Sequence, residues 1–410
     1  MHDADIVIVG AGLTGLRAAL EVARAGLSVL VVEADTSVGG RLKTARIQGA
    51  LIDRGFQVLL TGYPELKSLP PLKSLQCSHF TSGARVRIDG AWHDIIDPRR
   101  HLLDFIRSLK RPLGNALDLA RLALLVQRTS SSSINFSTIT TAQLIERFGF
   151  SRRFSDGFLK PFLRGVLLDP TLSSDSALAR FYIRTFTLGY AALPAGGIQA
   201  LPELLADALG RQHILLGTRA TAVAANRVTL ESGEDISARH VICACDALAA
   251  ATLGGPEQTV PHSGTTTVYF LAKKPPYPEP ILVLDGDASG PVNNLAVPSN
   301  VQPTYAPPGE ALISASVIGT AARLSDTELI KAIEQQMTGW FGAQVADWRH
   351  VTTTRVANAL PARPRISCGW LVRDGVYYAG DYLSYGSQNG ALMAGREVAQ
   401  AICAGWSERL

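Results

Sequence analysis

The chain of 410 residues is poor in the features that mark several broad classes of protein. It has five cysteines, Cys77, Cys243, Cys245, Cys368 and Cys403, an odd and scattered set. That excludes a disulfide-stapled scaffold. The C-x-C spacing of Cys243 and Cys245, inside an apolar run, is not the C-x-x-C of a metal site. Reduced, buried thiols and no metal are expected. The eight histidines do not cluster. No run of about 18 consecutive apolar residues occurs, so no membrane-spanning helix is expected. Met1-His2-Asp3-Ala4-Asp5 has neither a basic segment nor a cleavage pattern, which predicts no secretory leader and a cytoplasmic location. Excess positive charge is thin as well. Lys and Arg number 39 against 35 Asp and Glu, with no dense basic block, which argues against nucleic-acid binding.

What is present reads as folded and as more than one core. Apolar residues make up 47% and charged residues 18%, and two domains are expected at this length. Ile6-Val7-Ile8-Val9 reads as a buried parallel strand, residues 13–25 as a helix closed by Gly26, and residues 28–32 as a second buried strand. Such a strand–helix–strand unit closes as a right-handed crossover. Residues from about 100 to 190 read mainly as helix. Leu102, Leu103, Phe105, Ile106 and Leu109 recur at helical spacing, Pro112 and Gly114 interrupt, and Leu117, Ala120, Leu124 and Leu125 resume the stripe before a polar run at 129–133. Thr140 with Gln143 predicts a capping box whose helix ends at Gly149, and Ser325 with Glu328 a second one leading towards Phe341. Short strands are expected at 214–216, 228–230, 241–244, 267–271, 281–284, 311–317 and 376–379, with a last helix over 391–404. There is no internal repeat.

Gly10-Ala11-Gly12-Leu13-Thr14-Gly15 is G-x-G-x-x-G, and it follows a strand and opens a helix, the context that gives the pattern meaning. Gly10 permits the tight turn, Gly12 lets backbone approach a pyrophosphate, and Gly15 lets helix and strand pack closely. The helix N-terminus offers free N–H groups and partial positive charge to phosphates. Glu33, at the end of the second strand and beside Ala34, is placed to accept hydrogen bonds from ribose hydroxyls and to repel a 2′-phosphate. Gly39-Gly40-Arg41 then allows a second close backbone approach and offers a guanidinium to phosphate. The chain reads on as E-x5-G-G-R-x2-T-x4-G-x3-D-x-G through Thr44, Gly49, Asp53 and Gly55.

With these motifs the chain resembles the flavin-containing amine oxidase superfamily, which includes monoamine oxidases, protoporphyrinogen oxidase and phytoene desaturases. The resemblance implies FAD, held without a covalent link because the C-terminal motif carries no Cys. It implies that Gly39, Gly40, Arg41, Gly55, Phe56 and Gln57 line the cofactor. Pro194-Ala195-Gly196-Gly197-Ile198 resembles the family's P-x-G-G-M element, and Ala220-Thr221-Ala222-Val223 the strand that holds adenine, through Ala220 and Val223. Ala379-Gly380-Asp381, followed by Gly386, Gly390, Ala391 and Gly395, resembles the C-terminal flavin motif. There Gly380 and Asp381 would approach the phosphate–ribityl region, and Gly390-Ala391 would open a helix towards flavin N1/O2. The implied fold class is α/β: a discontinuous Rossmann-like FAD-binding domain of residues 1–75, 193–255 and 350–410, with an α+β substrate domain of residues 76–192 and 256–349 built from a mixed sheet and a helical insert.

The implied activity is an FAD-dependent oxidoreductase, an oxidase, dehydrogenase or desaturase, that passes hydride from a hydrophobic substrate to flavin N5. Lys160-Pro161-Phe162-Leu163-Arg164-Gly165-Val166 and Asp169-Pro170 resemble the desaturase branch. Two alternatives stay open, an amine oxidase producing peroxide and a flavin protein without net redox chemistry. No residue stands out as a general base, and Lys273 and Lys274 read as solvated. Gln57, Tyr382, Tyr385 and Asn389 are the candidates for touching substrate, the tyrosines as an aromatic cage or as ordinary packing. Arg99, Arg100, Arg107, Lys110, Arg111, Arg121 and Arg128 border the helical insert's apolar stripe, either as a solvated face or as a peripheral membrane contact. The partner expected is a small molecule; the residues give no oligomeric state.

Overall fold

The computed structural model describes residues 3–128, 138–257, 262–361 and 368–407; the polar run expected at 129–133 lies outside them. The strands of its two large sheets, numbered in chain order, are β1 (Ala4–Val9), β2 (Val29–Val32), β3 (Gly83–Ile88), β4 (Ala91–Ile96), β5 (Ile214–Leu215), β6 (Ala220–Ala224), β7 (Arg227–Leu230), β8 (Asp235–Cys243), β9 (His262–Ala272), β10 (Leu282–Asp285), β11 (Val292–Ala296), β12 (Ala311–Ile318), β13 (Arg349–Pro361), β14 (Trp370–Arg373) and β15 (Val376–Ala379).

The first sheet runs β5-β2-β1-β8-β7-β6, with β15 beside β8 and β14 beyond it. Strands β5, β2, β1, β8 and β15 are parallel, while β6, β7 and β14 are antiparallel additions. Ile6, Val7 and Ile8 are fully buried. A parallel strand needs apolar side chains on both faces, which explains an unbroken β-branched run where an alternating one would mark a half-exposed strand. Helix α1 (Leu13–Arg24) crosses from β1 to β2 as expected.

The second sheet runs β13-β9-β12-β11-β10-β3-β4 and is antiparallel except where β10 meets β3. Side chains alternate along β9 and β12. Val268, Phe270, Ile313 and Ala315 pack with Leu329, Ile333 and Met337 of the helix Asp326–Phe341, and Tyr269, Leu271 and Leu312 pack on the other face. The α/β class with a mixed second sheet is as expected. Strand β13, inside the span assigned to the cofactor domain, pairs along its length with β9 of the second sheet.

Both capping boxes form as read, Thr140 with Gln143 and Ser325 with Glu328. The helical insert includes α2 (Leu102–Ser108), α3 (Ala116–Arg128) and α4 (Lys160–Leu167). The chain closes with α5 (Gln388–Ser407), longer at both ends than its apolar pattern suggested. No described helix is long and apolar enough to cross a membrane.

Candidate active site

The glycine-rich turn joins β1 to α1, and its close packing explains its composition. A methyl group at Gly15 would lie 1.9 Å from the Gly10 carbonyl oxygen. At Gly12 the same addition would meet no protein atom within 4 Å. Gly40 faces that open space, since a Cβ there would sit 3.5 Å from the Gly12 Cα. Two backbone segments thus leave a bare-walled slot at a helix N-terminus, the shape and polarity that a diphosphate needs. Glu33 stands at one edge. Its Oε2 accepts from Ala11 N–H at 2.6 Å and its Oε1 from Asp35 N–H at 2.9 Å, which fixes the carboxylate against the turn.

The two ends of the chain meet here. Thr14 Oγ1 donates to the Ala391 carbonyl at 3.0 Å, tying α1 to α5. A Cβ at Gly395 would lie 2.3 Å from the Thr14 carbonyl oxygen, so the two helices cross at close range. Arg41 Nη1 donates to the Ala359 carbonyl at 2.7 Å, and Arg41 Nη2 pairs with Asp381. Burial alone would lower the guanidinium's pKa; the Asp381 carboxylate more than offsets this and holds it above its usual range.

Asp53 sits behind the wall, not on it. Its Oδ1 accepts from Thr44 Oγ1 (2.7 Å) and Ile198 N–H (3.0 Å), and its Oδ2 from Tyr305 Oη (2.8 Å). Burial pushes its carboxyl up to about 6, against the pull of these hydrogen bonds. The carboxylate clamps the hairpin of strands Thr44–Ile47 and Ala50–Asp53 to the Pro194–Ile198 segment. Thr44 and Gln199 add a reciprocal pair, at 2.9 and 3.1 Å. Beyond this clamp, Gly55 N–H donates to Thr354 Oγ1 (3.2 Å) and Phe56 N–H to Thr267 Oγ1 (3.1 Å), which lays this segment against the second sheet.

One cavity of about 1470 Å³ runs from the diphosphate slot into the helical insert. Ordinary small-molecule sites hold roughly 300–1,000 Å³, so there is room for a dinucleotide and a second molecule. The wall includes Gly10, Gly12, Leu13, Thr14, Glu33, Ala34, Gly39, Gly40, Arg41, Gly55, Phe56, Gln57, Ala220, Gly380, Asp381 and Ala391. Gly15, Val223 and Gly390 do not reach it. The far end is walled by Phe80, Phe105, Phe158, Phe162 and Phe186 with Leu119, Leu122, Val126, Leu163 and Ile183. Every carboxylate on the wall is already engaged: Asp35 with Lys43, Asp97 with Arg99, Asp381 with Arg41, and Glu33 and Asp246 with backbone N–H groups.

A model of the family described as flavin containing amine oxidoreductase matches residues 13–403. The chain belongs to that family. This bears out the resemblance read from the motifs, the oxidoreductase class and FAD as the cofactor. Protoporphyrinogen oxidase 2 of Arabidopsis thaliana is 41% identical over 64 residues, 16% of this chain and 13% of that one. The 4,4'-diapophytoene desaturase of Staphylococcus haemolyticus is 27% identical over 151 residues, 36% and 27% of the two chains. The chain thus spans under a third of either relative. Cyclohexylamine oxidase from Brevibacterium oxydans shares the fold with a TM-score of 0.68 at 22% identity, over 99% of this chain and 100% of that one.

The residues of this flavin amine oxidoreductase suit FAD on the structure's own terms: a bare glycine slot for the diphosphate, and a continuous cavity from Gly12 to Ala391. Some expected contacts are arranged differently. Gly390 N–H is taken by Ser387 Oγ at 2.8 Å, and Ser387 and Gln388, not Gly390, stand on the wall at the start of α5. Gln57 reaches the wall, but its Nε2 donates to the Arg41 and Arg54 carbonyls. Tyr382, Tyr385 and Asn389 are not on the wall of the large cavity. Tyr385 is buried against Phe181 and its Oη accepts from Asn389 Nδ2 at 2.6 Å; burial raises the pKa of both Tyr382 and Tyr385. Sequence reasoning missed Tyr63, Tyr182 and Ser387. Lys273 and Lys274 are exposed, and among the described residues no lysine lines the cavity.

Proposed function

We propose that the protein oxidises a neutral, largely hydrophobic molecule held at the phenylalanine-rich end of the cavity, with a hydride leaving a substrate carbon for FAD. The observation that carries this reading is the far end of the cavity: five phenylalanines with leucine, isoleucine and valine side chains. Of the wall carboxylates, Asp35, Asp97 and Asp381 are paired with cations, and Glu33 and Asp246 are held by backbone N–H groups. Burial of an apolar ligand contributes about 25 cal/mol per Å².

When bound, the flavin supplies the hydride acceptor. Gly12 and Gly40 leave space for the diphosphate and Glu33 meets the ribose. Arg41 and Asp381 brace the passage between phosphates and ring, and Ser387 and Gln388 present the start of α5 to the ring. Gly55 and Phe56, anchored on Thr354 and Thr267, hold the ring's other side, and the phenylalanines exclude water. The cofactor is held without a covalent bond. The two-domain division stands as part of this proposal, with β13 counted in the substrate domain.

A cytoplasmic protein that touches membrane surfaces fits the helical insert. None of the side chains of α2 is buried, and Leu102, Leu103, Ile106, Leu109 and Leu117 are exposed beside Arg107, Lys110 and Arg111. Helices α2 and α3 also carry Phe105, Leu119 and Leu122 on the cavity wall, so a lipid-soluble substrate would have a short route inward.

The test is anaerobic mixing of the FAD-loaded protein with hydrophobic candidates and with an amine panel. Bleaching by a neutral hydrophobic compound supports the reading. Bleaching by amines alone, with peroxide on admitting oxygen, replaces it with the amine oxidase reading. Turnover without any net bleaching replaces it with the non-redox one.

A further inference from the structure

The second sheet carries a row of four hydrogen-bonding side chains on its inner face. Register aligns Asn294 of β11 with Ser316 of β12, Ser316 with Thr267 of β9, and Thr267 with Thr354 of β13. Directly opposed residues on antiparallel strands share a face. Two of the four are committed, since Thr267 and Thr354 accept from Phe56 and Gly55 N–H. The other two are not. Asn294 and Ser316 line the cavity and are 7% and 6% exposed. Ser316 Oγ has no hydrogen-bond partner among the described residues.

The orientation of the Asn294 amide follows from its neighbours. Asn293 Nδ2 donates to the Pro161 carbonyl at 3.1 Å and to Asn294 Oδ1 at 3.1 Å. A carbonyl only accepts, so Asn293 must present nitrogen at that point, and Asn294 must answer with its oxygen. Asn294 Nδ2 is left without a partner among the described residues, at a cavity wall. Gly165 of α4 makes room for this amide, since a Cβ there would lie 3.1 Å from Asn294 Oδ1. This donor is open to the cavity, where an acceptor on a ligand can pair with it.

We propose that Asn294 is a polar anchor for an acceptor oxygen on an otherwise apolar substrate, a ketone, ether or alcohol oxygen. The proposal rests on reading the cavity as a chamber for a neutral hydrophobic molecule and specifies that molecule further. Strands lie about 4.8 Å apart, so Asn294 is two spacings, roughly 10 Å, from the Phe56 anchor. The substrate's oxygen is therefore held several bonds away from the end nearest Phe56.

The test compares 4-phenylcyclohexanone with phenylcyclohexane, two probes that differ by one carbonyl, by calorimetric titration into FAD-loaded protein. Asn294→Leu keeps the side-chain shape and removes the donor. The expected result is that the ketone binds roughly 3- to 10-fold more weakly to the variant while the hydrocarbon binds equally or better. Equal losses for both probes, or no loss for either, overturn the anchor while leaving the hydrophobic chamber in place. Failure of both probes to bind the wild type overturns the chamber and the anchor together. If Asn294→Leu does not fold, the infrared carbonyl band of the ketone bound to wild type decides: a shift to lower frequency relative to hydrocarbon solvent supports the anchor, and an unshifted band overturns it.

Discussion

Arg41 Nη2 lies 2.5 Å from Asp381 Oδ1, although 340 residues separate them in the chain. The carboxylate's side chain is 6% exposed and the guanidinium's 33%. Removing the Arg41 charge leaves a buried anion alone. Fully buried pairs lose about 3–5 kcal/mol when broken in this way; the part-open guanidinium brings the expectation for Arg41→Met to ~2–4 kcal/mol. Asp381→Asn, which keeps an acceptor, should cost less. Urea denaturation measures both, and two variants as stable as wild type would show the pair to be idle.

Gly12 and Gly15 are three residues apart and should fail differently. Gly12→Ala adds a methyl that touches no protein atom, so FAD occupancy after purification should fall while the melting temperature of the FAD-free variant matches that of FAD-free wild type. Gly15→Ala drives a methyl into the Gly10 carbonyl, and its melting temperature should fall by several degrees. A lower melting temperature of FAD-free Gly12→Ala than of FAD-free wild type, or unchanged FAD occupancy, would refute the slot.

Asp53 gives a pH signature. Its carboxyl titrates near 6 in the fold and near 3.8 when exposed. Between those values the folded state keeps a proton that the unfolded chain has released, so this group's contribution to stability is greatest below about pH 4 and is lost as pH rises through 6. The span is on the order of 2–3 kcal/mol. Asp53→Asn lacks the titration, so the stability of wild type relative to the variant should shrink from pH 4 to pH 7. Parallel melting curves across that range would contradict it.

Tyr382→Phe and Tyr385→Phe should leave the kcat and KM of a hydrophobic substrate within about twofold of wild type. Tyr385→Phe loses the hydrogen bond from Asn389 and should cost about 1 kcal/mol in unfolding free energy. A hundredfold fall in kcat with unchanged stability would return the aromatic cage to consideration.

Co-sedimentation with vesicles containing phosphatidylserine should retain the wild-type protein, and Leu103→Glu with Ile106→Glu should release it. Binding that the double variant leaves intact would place the membrane contact elsewhere.

The cofactor half of the site was legible because its chemistry is local. Gly10 to Gly15, Glu33 and Gly39 to Arg41 lie on consecutive turns, and spacing alone fixes their relation. Spacing left the C-terminal tyrosines open between an aromatic cage and ordinary packing, because direction around a short helical turn is invisible in it. Asp381–Leu383 forms such a turn; Tyr382 within it is half-buried and Tyr385, two residues beyond it, packs on Phe181, and neither is on the wall of the large cavity. The apolar wall was out of reach for a different reason, since Phe80, Phe158 and Phe186 come from separate elements that only the fold assembles. Asn294 and Ser316 had left a trace. Ser314 and Ser316 alternate with apolar residues in a strand that is otherwise core, and period-two polarity in a buried strand marks the side on which something polar is met.

The hydrogen bond from Thr14 to Ala391 sets a timetable for biosynthesis. At about 5–20 residues per second, a ribosome needs roughly 20–75 s to travel between those positions. Through that interval the nascent amino-terminal arm has its glycine turn but no opposite wall. Loading of the dinucleotide therefore waits until the helix of Ala391 has been made, and a stop codon anywhere before that helix yields a polypeptide that lacks one bank of the groove.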